Sequence, residues 1–289
     1  MRVRFAVIGG DRRSVLLCTQ LARDGHRVYT YALEKAELPA EIPKSGCLQG
    51  CVYGADCVVL PVPAEKASFV NAPFSVEPLE RERLIDALWK GQLLCGGKLS
   101  EALRSSALAA GVHAVDIMAR PAFSVGNAAL TAEGALEIML RQSERSIRAS
   151  RVLILGRGRI GRILASMLHS LGAEVTVAAR RAADRAECRV LGMEAVDFPE
   201  LENGLGRYDF IVNTVPARVM TETMLCTVED ALLIELASPP GGFDRVLAEN
   251  IGLRVTSAPG LPGKCAPYAA AELIRETVYD VIREQEGQD

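Results

Sequence analysis

The segment Arg151–Arg181, "RVLILGRGRIGRILASMLHSLGAEVTVAARR", constrains the fold more than any other part of the chain. A short apolar run leads into Gly156, Gly158 and Gly161, which have the spacing G-x-G-x-x-G. An amphipathic stretch and a second apolar run follow, so the segment predicts a strand, a helix and another strand. Three glycines in that context indicate a turn that approaches the diphosphate of a dinucleotide. We therefore predict a Rossmann-type nucleotide site.

Each position of this glycine motif has a separate predicted role. Gly156 permits the tight turn, Gly158 lets the backbone approach the diphosphate, and Gly161 lets the helix pack closely on the strand. Arg159 and Ile160 complete the motif at the start of the helix, whose N–H groups and dipole receive the diphosphate. The alternative is a glycine-rich turn without a ligand, which the strand–helix–strand context disfavours.

The end of the second strand predicts which dinucleotide binds. NAD enzymes usually carry an acid there, which bonds the 2′-hydroxyl of the adenosine ribose. This chain has Arg180 and Arg181 at that place, and the nearest acids, Asp184 and Glu187, come later. A guanidinium matches a 2′-phosphate, whereas a carboxylate would repel one. We predict NADP; the alternative is that the arginines only begin a solvated helix.

Strand-like and helical runs alternate in two series along the chain. Alternation of this kind predicts an α/β fold with parallel sheets and right-handed crossovers. We expect two Rossmann-like parallel-sheet domains joined by a long helix near residues 127–144. The first is a substrate domain of residues 1–126, completed by a C-terminal helix at 266–289 that packs back on it. The second, residues 127–265, contains the linking helix and the NADP site.

The N-terminal sequence "AVIGGD" supports the assignment of the first domain to the substrate. It contains Gly9 and Gly10 but lacks a third glycine at the fingerprint spacing. We interpret it as the first turn of a substrate domain, with Asp11 capping the helix that follows.

Composition excludes several classes of function. The chain has 289 residues, a formal net charge of -3 and 49% hydrophobic residues, which gives no electrostatic case for nucleic acid or an anionic membrane. No apolar run reaches the roughly 18–20 residues that span a bilayer. The N-terminus lacks the apolar core and cleavage site of a signal peptide. We expect a soluble, intracellular protein.

The chain has eight cysteines, most of them within apolar runs, which is typical of buried free thiols. Cys47, Cys51 and Cys57 form the one cluster that resembles a metal site. Their spacing is not the paired C-x2-C of zinc sites and no histidine lies near them in sequence, so we expect no metal.

Further cofactor contacts are expected where later strands of the second domain end. Ligands of open α/β sheets bind in the crevice at the carboxyl ends of the strands. One such end has Asn213, Thr214 and Pro216, which we expect beside the nicotinamide ribose. The next has Ala237 and Ser238. The alternative for both strand ends is an ordinary loop, in which proline and glycine form the turn and no ligand binds.

Several segments together resemble the A subunits of bacterial dipicolinate synthases. These are "FAVIGGDRR", "NAALTAEGALEIML", "GRGRIGRILA", "VNTVPARVM", "LIELASPPGGFD" and "APGLPGKCAPYAAAELI". The resemblance covers essentially the full length. It implies an NADP-dependent oxidoreductase that converts 4-hydroxy-tetrahydrodipicolinate, from the lysine pathway, to dipicolinate. It further implies the cytoplasm of the mother cell in a sporulating bacterium, an oligomer, and a partner that is a small flavoprotein-like B subunit.

The dicarboxylate substrate that the resemblance implies needs cations or N–H donors for its carboxylates. Arg120, Lys98 and Lys264 lie in glycine- or proline-rich segments after predicted strands and are candidates. The alternative for each is a solvated surface charge, because most lysines and arginines are exposed.

Three residues are candidates for acid–base chemistry. Thr131 and Glu133 are expected to open the linking helix, with Asn127 as its cap, and to face the cleft between the domains. The alternative for Glu133 is stabilisation of the first helical turn through the helix dipole. His113 begins a predicted strand and could relay protons near neutral pH, although a structural role is the alternative.

Two other functions remain open from the sequence. One is another NAD(P)-dependent dehydrogenase of the same architecture, acting on a 2-hydroxy or amino acid. That class would need an Arg–His catalytic pair, which the sequence does not display. The other is a nucleotide-binding subunit without chemistry of its own, which serves a catalytic partner.

Overall fold

The computed structural model of the chain describes residues 2–202 and 204–287. The chain divides into two compact units. Unit 1 comprises Met1–Asn127 and Ala266–Asp289, and unit 2 comprises Ala128–Cys265. Each unit contains a parallel sheet flanked by helices, so the predicted α/β class with two parallel sheets is confirmed.

Unit 1 is built on a five-stranded parallel sheet. Its strands are β1 (Arg4–Ile8), β2 (Arg27–Tyr31), β3 (Cys57–Val59), β6 (Leu93–Gly96) and β7 (His113–Asp116), and a small antiparallel hairpin is formed by β4 (Glu65–Lys66) and β5 (Phe69–Val70). The helices are α1 (Arg12–Arg23), α2 (Leu48–Val52), α3 (Arg81–Ala87) and α4 (Glu101–Ala109), and α5 (Pro121–Gln142) begins in this unit.

Unit 2 is built on a six-stranded parallel sheet. Its strands are β8 (Arg151–Leu155), β9 (Glu174–Ala178), β10 (Glu194–Val196), β11 (Phe210–Asn213), β12 (Leu232–Glu235) and β13 (Arg254–Ser257). The helices that follow α5 are α6 (Arg159–Ser170), α7 (Ala182–Val190), α8 (Glu222–Leu225), α9 (Arg245–Asn250) and α10 (Leu261–Cys265), and α11 (Pro267–Glu286) returns the chain to unit 1.

The strand orders place the ligand-binding edge of each sheet. The order in unit 2 is β10-β9-β8-β11-β12-β13, the usual order of dinucleotide-binding domains, which reverses direction between β8 and β11. The order in unit 1 is β2-β1-β3-β6-β7, which reverses between β1 and β3. Ligands of such sheets bind beyond the carboxyl ends of the strands at these reversal points.

Helices α1 and α11 of unit 1 pack against each other. The Asp11 carboxylate accepts the N–H of Arg13 at 3.0 Å, so the predicted cap of α1 is confirmed. Helix α11 contributes Ala271 and Ile274 to the core of this unit. The C-terminal helix therefore packs on the first domain, as the fold prediction required.

The start of the linking helix was predicted wrongly. Helix α5 begins at Pro121, so Asn127 lies inside it and does not cap it. Proline is tolerated in a first helical turn because its missing N–H would have no partner there. Gly126 lies inside the helix, and a Cβ at that position would lie 2.8 Å from the side chain of Leu273 on α11. This close packing explains why the helix has a glycine at that position.

The described part of the chain contains no helix that is long and apolar enough to cross a membrane. Within residues 2–202 and 204–287, no group of three or more His, Cys, Asp or Glu side chains is placed to hold a metal ion. The eight cysteines are free, and five are buried. Cys47 and Cys226 depart from the buried-thiol prediction because both are exposed.

Candidate functional site

The turn between β8 and α6 requires glycine at two positions. Gly156 has φ +98°, and a Cβ there would lie 2.6 Å from Val215 Cγ2. At Gly161, a Cβ would lie 2.1 Å from the carbonyl oxygen of Gly156, which is closer than any real contact. The first helical turn of α6 therefore rests directly on the end of β8. The predicted roles of these two glycines agree with this geometry.

Gly158 differs from the other two glycines because it faces open space. It precedes α6 with φ -73°, a conformation that any residue can adopt, and no atom lies within 4 Å of a Cβ built there. Packing therefore does not explain the glycine. The open space lies in front of the N–H groups of α6, where a diphosphate would bind. The turn thus fits the dinucleotide that the motif predicts.

A groove with a cavity volume of about 310 Å³ extends from this turn across the neighbouring strand ends of unit 2. It brings together six of the predicted cofactor-binding residues, which are Gly156, Gly158, Arg180, Arg181, Thr214 and Pro216. Its remaining lining residues are Arg157, Ala179, Asp184, Phe198 and Val215. The groove spans the reversal point between β8 and β11, as expected for a doubly wound sheet.

The two predicted phosphate-binding arginines have different surroundings. Arg181 donates two hydrogen bonds to Asp184, at 2.9 and 2.7 Å. These bonds, and the positive charges of Arg157 and Arg162 beyond them, hold the pKa of Asp184 below its ordinary value. Arg180 is exposed, and its side chain has no hydrogen bond or ion pair with any residue that the structure describes. Of the two arginines, Arg180 is therefore the one available to an incoming anion.

The loop that carries these arginines is held by Arg185. Its Nη1 donates to the carbonyl oxygens of Ala179 and Arg180, at 2.7 and 2.8 Å, and lies 3.0 Å from Asp197 Oδ2. A guanidinium with several acceptors fixes the path of a backbone that has no regular hydrogen bonding. Arg185 was not among the residues predicted from the sequence.

A buried polar pair supports the strand ends on the other side of the turn. Asn213 is fully buried, and its Nδ2 donates to Glu235 Oε1 at 2.6 Å. The same carboxylate accepts the N–H of Ala237 at 2.9 Å and that of Gly242 at 2.8 Å. Asn213 thus does not line the groove, contrary to the prediction of a cofactor contact. Instead it supports the loop after β12 together with Glu235.

Glu235 was also not predicted, although a signal for it is present in the sequence. A single carboxylate interrupts the apolar strand "LLIELA", and two glycines follow a few residues later. A buried carboxylate must find donors, and the backbone N–H groups of a tight glycine-containing loop supply them. A Cβ at Gly242 would lie 2.3 Å from Asn213 Cγ, so the loop closes directly over the pair.

A second groove, with a cavity volume of about 440 Å³, lies at the ends of β12 and β13. Ala237 and Ser238 line this groove and not the first one. Other residues around it include Arg218, Glu235, Pro239 and Gly260. Both grooves lie at the carboxyl edge of the unit 2 sheet, because β11 and β12 are adjacent strands.

The two remaining residues of the glycine motif point in different directions. Arg159 is exposed at the first position of α6, while Ile160 is half-buried and packs against the core of unit 2. Neither side chain lines the first groove. The side chain of Ile160 thus serves core packing, and the predicted contact with the diphosphate stays a prediction for its backbone. A contribution of these residues to diphosphate binding would come from their backbone N–H groups.

The candidates for acid–base chemistry lie elsewhere than expected. Because α5 begins at Pro121, Thr131 and Glu133 lie in the middle of the helix and do not open it. Thr131 is buried and Glu133 is exposed. His113 begins β7, so it lies at the amino end of its sheet, opposite the edge where ligands bind, and its Nδ1 contacts the Gln285 side chain. That placement and contact agree with the structural alternative for His113.

The three candidate cations for a dicarboxylate are also distinguished by their contacts. Arg120 forms an ion pair with Glu284 of α11. Lys264 is exposed on the short helix α10. Lys98 has φ +56°, which is uncommon for a residue with a side chain, and its backbone N–H donates to Asp116 at 2.9 Å.

Two families match successive parts of the chain. Residues 4–118 match the N-terminal domain of the A subunit of dipicolinate synthase. Residues 126–233 match the NAD-binding domain of D-isomer-specific 2-hydroxyacid dehydrogenases. The A subunit of dipicolinate synthase from Bacillus subtilis (strain 168) is 27% identical over 291 residues, which cover 99% of this chain and 98% of that protein. The resemblance found in the sequence is thereby confirmed.

Solved structures agree with this relationship. The dipicolinate synthase A subunit from Bacillus subtilis superposes with a TM-score of 0.87 at 26% identity, covering 100% of this chain and 98% of that one. Its counterpart from Bacillus halodurans gives 0.85 at 26% identity, covering 96% and 97%. A transhydrogenase from Sinorhizobium meliloti gives 0.72 at 16% identity, covering 98% and 94%, and shows a common fold alone.

The open space at Gly158 leads to a first prediction. Gly158→Val should fold like the parent, because the backbone conformation suits valine and no atom obstructs its Cβ. It should abolish dinucleotide binding, because the side chain occupies the space of the diphosphate. Gly46→Val is the control, since Gly46 also faces open space but lies in unit 1. Nucleotide titration with circular dichroism tests this, and parental binding by a folded Gly158→Val would contradict it.

The buried Glu235 leads to a second prediction. In Glu235→Gln one carboxylate oxygen becomes an amide donor that faces a donor, either the Gly242 N–H or the Asn213 and Ala237 N–H groups. We expect the free energy of unfolding to fall by about 1–3 kcal/mol. The control, Glu249→Gln on the surface of α9, should change it by less than about 0.5 kcal/mol. Urea denaturation measures both, and equal effects would contradict a supporting role for Glu235.

Proposed function

We propose that this chain, a relative of the dipicolinate synthase A subunit over its whole length, is the nucleotide-binding subunit of an NADP-dependent oxidoreductase that forms dipicolinate. The second unit has the architecture of a nicotinamide-dinucleotide-binding dehydrogenase domain. The observation that carries the proposal is the glycine turn, whose unobstructed position at Gly158 has no role in packing. The first unit, which matches the family-specific domain, is proposed to hold the substrate.

The proposed substrate is 4-hydroxy-tetrahydrodipicolinate. Loss of water from the ring introduces one double bond, and loss of a hydride and a proton then gives the aromatic product. Bound NADP⁺ supplies the hydride acceptor. The second step depends mainly on holding the acceptor ring against the substrate carbon. The carboxyl edge of the unit 2 sheet can hold a ring in a fixed position, because buried polar groups such as Asn213 and Glu235 support its loops.

The preference for NADP rests on the arginines at the end of β9. Arg180 is exposed beside the groove without a partner among the described side chains, and Arg181 lies next to it in the lining. Asp184 is the acid that could instead bond a ribose hydroxyl, but two hydrogen bonds already tie it to Arg181. This arrangement favours a 2′-phosphate over a free hydroxyl.

The catalytic groups are proposed from the acid–base candidates that remain. Glu133 is an exposed carboxylate on α5, and the buried Thr131 lies near it in sequence. We retain these two and set His113 aside because of its position at the amino edge of its sheet. We further propose that a flavoprotein-like B subunit completes the site, since the relative is itself described as one subunit of a synthase. The assembly would be an oligomer.

The cofactor preference gives a third prediction. NADPH should bind about 10- to 100-fold more tightly than NADH, because hydrogen bonds to a charged phosphate contribute roughly 1.5–3 kcal/mol. Arg180→Asp should remove or reverse this difference. Arg141→Asp, on the exposed C-terminal turn of α5, is the control and should leave it unchanged. Isothermal titration measures the affinities; equal values for the two nucleotides in the parent would refute the NADP assignment.

The partner gives a fourth prediction. The chain alone should bind NADPH but form dipicolinate slowly or not at all, and addition of the B subunit should restore product formation. Groups shared between two proteins accelerate a reaction only when they are positioned together. The ultraviolet absorbance of dipicolinate reports turnover. Full activity of the chain alone would contradict the need for a partner and direct attention to Glu133 and Lys264.

The same assay separates the other two functions. Turnover of a 2-hydroxy or amino acid, with no turnover of the proposed substrate, would indicate another dehydrogenase of this architecture. Nucleotide binding without turnover of any of these compounds, with or without the B subunit, would indicate a subunit that has no chemistry of its own.

A further inference from the structure

The glycine motif contains a buried arginine. Arg157 follows Gly156, lines the first groove, and has a side chain that is only 2% exposed. Its guanidinium extends to α7, where Nε donates to Cys188 Sγ at 2.9 Å and Nη2 lies 3.2 Å from Glu187 Oε1. The side chain therefore connects the diphosphate turn with the helix that follows β9.

The hydrogen bonding of the Arg157 guanidinium is incomplete for a buried group. A guanidinium stays charged at every pH that a protein experiences. Burial raises the pKa of Cys188, so this thiol is neutral and a weak acceptor. The contact with Glu187 lacks the geometry of a hydrogen bond, and Nη2 has no hydrogen-bond partner among the described residues. Such an unsatisfied buried N–H group requires an explanation.

The position of Arg157 indicates which anion would satisfy it. The ribose 2′-position of a bound dinucleotide lies at the end of β9, where the loop to α7 begins. Two other cations of that region are already engaged, because Arg181 is bonded to Asp184 and Arg185 holds the loop backbone. Among the described arginines of this loop and turn, Arg180 is exposed without a partner, and Arg157 keeps hydrogen-bonding capacity at its Nη2.

We propose that Arg157 is a specificity-determining residue that selects dinucleotides with a 2′-phosphate, through the guanidinium nitrogen that is not hydrogen-bonded in this structure. The inference rests on the proposed NADP-dependent function and adds a second, buried cation to its phosphate site. Glu187, whose side chain is 54% exposed, is the anion that neutralises Arg157 until the phosphate binds.

A buried and an exposed cation differ in their response to salt. Salt screens charges at the surface far more than buried ones. The contribution of Arg180 should therefore shrink as salt is raised, whereas that of Arg157 should persist. Titrations of NADPH at several salt concentrations therefore distinguish the contribution of Arg157 from that of Arg180.

The test compares Arg157→Met with the parent chain. Methionine keeps an apolar stem of similar length but removes the charge. We expect NADPH affinity to fall about 10-fold or more at both low and high salt, corresponding to at least one charge-assisted contact, while NADH affinity changes less than about 3-fold. Arg162→Met is the matched control, because Arg162 also acts on Asp184 but does not line the groove.

Glu187→Gln tests the same inference without disturbing the buried side chain. Removal of the competing carboxylate should raise NADPH affinity about 2- to 5-fold and leave NADH affinity unchanged, within the range of a partly exposed ion pair. If Arg157→Met does not fold, the NADPH and NADH affinities of Glu187→Gln test the role of Arg157 instead.

The outcomes distinguish the inference from the function on which it rests. If the parent binds neither nucleotide, or binds both equally, the NADP-dependent function fails. If the parent prefers NADPH and the preference survives in Arg157→Met, the inference alone is overturned. Equal losses for NADPH and NADH, with a lower denaturation midpoint, would assign Arg157 a structural role and overturn it too.

Discussion

The contact between Gly161 and the carbonyl oxygen of Gly156 is the constraint on which the arrangement of the nucleotide groove depends. The first turn of α6 lies so near the end of β8 that a Cβ at Gly161 would stand 2.1 Å from that oxygen. This proximity fixes where the N-terminus of α6 points, and thereby where its unpaired N–H groups and dipole act. The groove, its open position at Gly158 and the loops around it are all arranged relative to that helix start.

Buried or half-buried carboxylates hold the loops at the carboxyl edge of each sheet in the same way. In unit 2, Glu235 accepts backbone N–H groups from both sides of the loop after β12. In unit 1, Asp116 accepts the N–H groups of Lys98, Leu99 and Met118, at 2.9, 3.0 and 2.9 Å. A carboxylate offers several acceptor sites, so one side chain can fix a loop that has no regular partner. Edges held in this way present a ligand with a defined shape.

The arginines around the groove divide into structural and available cations. Arg185 holds backbone carbonyls and Arg181 is bonded to Asp184, so two guanidinium groups of this region are engaged before any ligand arrives. Arg180 and Arg157 remain, one exposed and one buried. A count of positive charges in the sequence would treat these four residues alike. Their geometry gives them different roles, because a guanidinium whose N–H groups are already bonded offers fewer of its five donors to a ligand.

The sequence by itself determined the α/β class, the dinucleotide turn, the cap at Asp11 and the presence of a C-terminal helix, because hydrophobic period, glycine spacing and capping are local properties.

Tertiary structure alone decided the helix boundaries and side-chain contacts that depend on residues far apart in the chain. Helix α5 begins at Pro121, which places Thr131 and Glu133 in its interior, and Gly126 within it packs against Leu273. His113 lies at the amino edge of its sheet, Asn213 is buried against Glu235, and Arg157 reaches α7. Side-chain direction and hydrogen-bond partners arise from packing between elements far apart in the chain, which no local pattern records.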